Sequence, residues 1–144
     1  MGETEHGVTI ALKVTRLSDG VITIDTSGNI VKLNEAATRL LRVDAQKVPG
    51  ASANRIFGVG NEWILESIRK VVARRVVESV LDGTLRTHDQ RHIPVNLTVA
   101  PLADTQGEAL GETLIIEDIT EDKRMRATMA RYMTAEVAEQ VLAE

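Results

Sequence analysis

The chain has 144 residues, 43% of them hydrophobic and 26% charged, with a formal net charge of −4. That is the composition of one folded domain with room for appended elements, long enough to build a core without a metal or a disulfide. Cysteine is absent and only Phe57, Trp63 and Tyr132 are aromatic, which excludes disulfides, thiolate metal sites and cysteinyl photoadducts and, with the acidic balance, argues against nucleic-acid binding.

Residues 8–17 alternate Val8, Ile10, Leu12 and Val14 as a strand would, yet Ile10, Val14 and Leu17 also make a helical stripe. A short helix is expected there, closed by the turn signal Ser18-Asp19-Gly20. Gly20 to Asp25 and Ile30 to Leu33 read as two short strands of a hairpin around Thr26-Ser27-Gly28-Asn29. Asn34 suits a helix N-cap with Glu35 in the first turn, and the helix, carrying Ala37, Leu40 and Leu41 on one face, stops before Pro49-Gly50.

Ser52 to Phe57 predicts one helical turn, broken by Gly58 and Gly60. Gly58-Val59-Gly60 is similar to a phosphate loop but lacks the Gly-Lys-Ser/Thr ending and reads as a helix breaker. Asn61 is placed to cap a longer helix, Glu62 to about Arg74, whose apolar face is Ile64, Ile68, Val71 and Val72. Three strands follow. Val76 to Thr87 puts Val77, Leu81 and Leu85 on one face, with Gly83 as a bend or bulge. Ile93 to Leu102 turns Ile93, Val95, Leu97 and Val99 inward, its prolines Pro94 and Pro101 suiting an edge or strand ends, and Leu110 to Ile119 is the last. Helices inserted between two runs of strands make an α+β pattern around an antiparallel sheet.

From Thr120 the pattern turns helical, with Thr120 as a cap and Glu121 and Asp122 in the first turn. Met125 and Met129 form a stripe too narrow for a core helix and suited to a pairing seam. Thr134 opens a further helical stretch with Val137, Val141 and Leu142 along one side. No segment approaches the roughly 18 uncharged apolar residues of a membrane span. Glu3 and Glu5 stand where a signal peptide carries basic residues, so a cytoplasmic location is expected.

The phrases DGVITIDTSGNIVKLNEAA and LIIEDITEDKR, with this order of elements between them, resemble the PAS family of sensor domains over about Ser18 to Thr120. Gly20, Asp25, Asn34 and Ala36 match the family's opening strand and first helix, and Asp118-Ile119-Thr120 its closing junction. The resemblance implies a PAS fold, a five-stranded antiparallel sheet with helices on one face and a signalling helix after the last strand. It implies a flanking segment over 1–17, the domain over 18–120 and the exit helix over 121–144. It also implies a homodimer. Arg131 to Val137, followed by Val141-Leu142, is similar to the transducer helix upstream of class III adenylate cyclase domains, with Ala135 where proline is commonest. A cyclase domain of the same polypeptide is therefore the expected downstream partner, with a ligand-free dimerisation domain or a histidine-kinase sensor as alternatives. The 144 residues leave no room for the cyclase domain itself, so this chain is expected to be catalytically inert.

Asp118, Ile119 and Thr120 are the expected signal junction, and Met125, Met129, Tyr132, Met133 and Val137 the expected pairing residues. Trp63, Ile64 and Ile68 are candidates to line a cavity. No catalytic residue, metal or cofactor is expected. The long helix lacks the histidine of a haem sensor, a covalent flavin needs a cysteine, and His88, Asp89 and His92 read as a solvated hairpin tip. The acidic group Glu117, Asp118, Glu121 and Asp122 reads as strand–helix junction chemistry.

Overall fold

A computed structural model describes residue 16 and residues 18–132. Apart from Arg16, the helix expected over 8–17 lies outside the described residues, as do Met133, Val137 and the further helical stretch expected from Thr134. Strands β1 (Gly20–Ile24) and β2 (Ile30–Leu33) form the expected hairpin. Its turn is built by Asp25, whose Oδ1 accepts from the N–H groups of Ser27 and Asn29, both at 2.9 Å.

Helix α1 (Glu35–Leu41) starts at Asn34, whose Oδ1 accepts from Ala37 N at 2.9 Å. The same side chain takes Val21 N at 3.0 Å and gives its amide to Asp19 O at 2.9 Å, so one cap also fixes the helix to β1. The helix ends well before Pro49-Gly50 because Arg42 turns left-handed (φ 60°) and returns its N–H to Thr38 O. Ser52 caps α2 (Ala53–Phe57) through Arg55 N.

Helix α3 (Glu62–Arg74) departs from expectation twice. Asn61 makes no side-chain cap bond. Val72 is exposed, and Ser67 takes its place on the buried face beside Ile64, Ile68 and Val71. At 3.6 residues per turn Val72 lies about 80° round from Ile64, while Ser67 and Val71 lie within about 60° on the other side.

Strands β3 (Glu78–Arg86), β4 (His92–Ala103) and β5 (Ala109–Asp118) complete a five-stranded sheet of order β2-β1-β5-β4-β3, with every pairing antiparallel. The expected apolar face of β3 is not formed. The strand begins at Glu78, so Val77 precedes it and is exposed, and the register shift between Val80 and Gly83 turns Leu81 outward while Leu85 is buried. Strand β4 is interior to the sheet, and Pro94 and Pro101 lie toward its two ends. Ile22, Ile24, Leu85, Val95, Leu97, Val99, Leu114 and Ile116 face α1, α2 and α3 across one core, each such side chain contributing about 1.5–3 kcal/mol of burial. Helix α4 (Thr120–Tyr132) leaves the end of β5 with no buried residue.

Candidate functional site at the strand–helix junction

The passage from β5 to α4 is held by its own side chains. Asp118, the last residue of β5, uses Oδ1 to accept from the Thr120 N–H at 2.9 Å and from the Thr120 hydroxyl at 2.6 Å. Thr120 is therefore the first helical residue and gives its hydroxyl proton to Asp118, a reversal of its expected role as the cap. The carboxylate satisfies a backbone N–H that the opening turn of the helix leaves without an internal partner. Between them Ile119 is buried, its N–H bonded to Pro94 O and its carbonyl taking Lys123 N. The junction is thus pinned to β4 on one side while its polar ends face solvent.

A second set of contacts, which the sequence did not reveal, runs across the sheet face opposite the core. Lys123 in the first turn of α4 reaches Asp82 in the β3 bulge. The Asp82 N–H donates to Asn96 Oδ1 on β4 at 2.9 Å, and the Asn96 amide reaches Glu117 Oε1 on β5 at 3.3 Å. Glu117 lies 3.9 Å from Arg16 in the flank before β1. The exit helix is therefore linked through three strands to the entry of the domain. Beside the junction a cleft of about 470 Å³ has Arg39 and Arg42 on one wall and Asp118, Glu121 and Asp122 on the other.

Of the candidate cavity residues, Ile64 and Ile68 are in the core. Trp63 is turned toward the edge strand, where its indole N–H donates to Thr84 O at 2.9 Å and its ring covers Gly83. Asn61, fully buried, ties α3 to β3: its amide donates to Phe57 O and Arg86 O, and its Oδ1 accepts from Arg86 N. His88 is not a freely solvated tip, since its Nε2 lies 2.7 Å from Ile56 O. Asp89 holds its proton less tightly than an ordinary aspartate because the Thr87 hydroxyl donates to it and Arg91 lies beside it. Glu112 on β5 is buried on the core face, and desolvation raises its pKa. No group of three or more His, Cys, Asp or Glu placed to hold a metal occurs among the described residues. No helix among them is long and apolar enough to cross a membrane.

A family model described as the PAS domain matches residues 18–121, most of the chain. The chain belongs to the PAS domain family. It is similar to the signal transduction histidine-protein kinase AtoS of Escherichia coli (strain K12), 25% identical over 122 residues, which is 83% of this chain and 19% of AtoS. The chain therefore spans about a fifth of that curated relative's length. Among solved structures it resembles the PAS domain of a protein from Colwellia psychrerythraea, with a TM-score of 0.60 at 19% identity, over 79% of this chain and 97% of that one. It resembles the light-state dimer of the fungal blue-light photoreceptor Vivid, with a TM-score of 0.63 at 16% identity, over 81% and 93% of the two chains. A sensory box sensor histidine kinase from Vibrio cholerae gives a TM-score of 0.59 at 16% identity, over 79% and 92%. As a PAS domain the chain is of the class of signal-transduction sensors.

Proposed function

We propose that this PAS domain is the regulatory sensor and dimerisation module of a larger signalling protein, and that α4 relays its conformational change to a class III adenylate cyclase domain. The observation that carries the relay is the exit helix. Thirteen residues leave a pinned junction with nothing buried, and Met125 and Met129 stand 65% and 58% exposed on one side. A lone helix of this length is marginal in water. An apolar seam on it calls for a partner, and in a symmetric assembly that partner is the same helix of a second copy. The chain itself carries no catalysis in this reading, and any small molecule it senses shifts output only by binding two states of the domain unequally.

The cyclase output rests on the likeness of residues 131–142 to a transducer helix. A histidine-kinase output is the second reading, favoured by the similarity to AtoS. Two measurements separate the parts. Light scattering on the 144-residue chain should report a dimer, and Met125→Glu with Met129→Glu should give monomers; a dimer that survives both changes removes the seam. Assay of the full-length parent protein should show cyclic AMP formed from ATP, and autophosphorylation in its place would establish the kinase reading.

A further inference from the structure

Gly58 and Val59 do more than end a helix: with the end of α2 they form one side of a pocket of about 240 Å³ facing the tip of the β3–β4 hairpin. Two arginines and a histidine line it, Arg55 from α2 and Arg86 and His88 from the hairpin, and no carboxylate does. The Arg55 side chain makes no hydrogen bond or ion pair among the described residues. Arg86 turns its guanidinium onto a neutral acceptor, Gln90 Oε1, and lays its stem over Gly60, where a Cβ would stand 2.6 Å from the arginine Cδ. Ile56 O can only accept, so the His88 Nε2 facing it carries the hydrogen.

The acids on the flanking elements are already engaged. Glu62 takes the Gly60 N–H at 3.1 Å, and Asp89 is held by Thr87 and lies 3.3 Å from Arg91 Nε. Two guanidinium groups thus converge on one concavity without a counter-charge of their own, over a floor supplied by the buried Ile56 and Phe57. Guanidinium forks match the planar or tetrahedral oxygens of carboxylate and phosphate. The volume lies below the roughly 300–1,000 Å³ of pockets that take drug-sized ligands or cofactors, which selects a small occupant over a nucleotide or a flavin.

We propose that this pocket binds a small oxyanion, a short organic carboxylate or a phosphate group, held by Arg55 and Arg86 with His88 and the glycine turn at its margin. An occupant would bridge α2 to the hairpin whose strand β3 also carries Asp82, the partner of Lys123 on the exit helix. The site is separate from the signal junction, and its existence does not depend on which output domain follows.

The test is amide NMR on the 144-residue chain, titrated separately with sodium phosphate and sodium acetate against sodium chloride at matched ionic strength. Expected are saturating shifts concentrated at Gly58, Val59, Gly60, Arg86 and His88, with the oxyanion that saturates at the lower concentration identifying the head group. Arg55→Gln, an exposed change that removes no hydrogen bond or ion pair among the described residues, should weaken binding about tenfold, the loss expected of one charge-assisted contact. Arg126→Gln, the same change of charge on α4, should leave it as it was. Shifts that fail to saturate with either oxyanion, or that follow chloride, would overturn the proposal. So would equal binding by wild type and Arg55→Gln, or equal weakening by the two variants.

Discussion

Lys123 and Asp82, 41 residues apart in sequence, meet as an ion pair in which the ammonium donates to both carboxylate oxygens, at 3.0 and 3.1 Å. The pair joins the first turn of the exit helix to the bulge of the edge strand. Both side chains are about half exposed, so the pair contributes no more than about 1 kcal/mol to global stability and weakens with salt. Its effect should be local. Asp82→Asn is the informative change, because Asp82 has a φ of 58° that asparagine tolerates and alanine does not. We expect little change in global unfolding, faster amide exchange in the first turns of α4, and no difference from wild type at about 1 M salt, where charges are screened beyond roughly 3 Å. Unchanged exchange in α4 would mean that Asp118 and Ile119 alone hold the helix.

Asn61 should matter far more to stability than an N-cap would. Its three hydrogen bonds satisfy the Phe57 carbonyl and both backbone groups of Arg86 in a buried position. Asn61→Ala leaves these groups without partners, at a cost of about 1–3 kcal/mol for each one that water cannot reach. A loss of about 3 kcal/mol in denaturant unfolding is expected, and Asn61→Asp should be at least as damaging, since a carboxylate would face two carbonyl oxygens. A loss below about 1 kcal/mol, typical of a surface cap, would show that the bonds to β3 are not holding α3.

The distance in sequence between partners explains what could be read from the sequence. The β1–β2 turn, the Asn34 cap, the extent of α3 and the Asp118–Thr120 junction all rest on residues a few positions apart, where turn and cap chemistry is local. Asn61 was legible as the residue before a helix, but its partner Arg86 lies 25 positions away. Asp82, Asn96 and Glu117 are separated by 14 and 21 positions and meet only because three strands pair in one register. The bulge at Leu81 and Asp82 also defeats a simple alternation of faces, since one extra residue in a strand exchanges inside for outside. Arg55 and Arg86 come from α2 and β3, so no local pattern in the sequence joins them.

Gly83 and Trp63 form a fitted pair. A Cβ at Gly83 would stand 2.6 Å from the far edge of the indole ring, so Gly83→Ala must push Trp63 away from β3 and break its bond to Thr84 O. Overpacking of this kind costs about 1–3 kcal/mol. Trp63 is the single tryptophan, so its fluorescence should shift to the red in Gly83→Ala as the ring gains water. Combining the change with Trp63→Leu should recover part of the lost stability, a non-additive pair as expected of neighbours in contact. Strict additivity would place the cost in the backbone of β3 and away from the ring.

Glu112 is 7% exposed on the core face of β5, opposite Ile24 and Pro101, and its carboxylate has no hydrogen bond or ion pair among the described residues. Desolvation pushes its pKa above the ordinary glutamate range; Arg75 at the end of α3 opposes this, and Asp25 in the β1–β2 turn adds to it. The folded protein therefore holds this proton more tightly than the unfolded chain. The resulting stability is fully present below the unfolded glutamate pKa and is lost as pH rises through the folded value. Glu112→Gln keeps the shape and removes the titration. It should match wild type near about pH 4, where an unfolded glutamate is close to half-protonated, or below, and melt at a higher temperature than wild type near neutrality. The gap should open as pH rises and then stay constant. Melting curves from pH 4 to 8 read this directly; a gap that does not vary with pH, or a variant less stable at neutrality, would show that Arg75 compensates the buried charge.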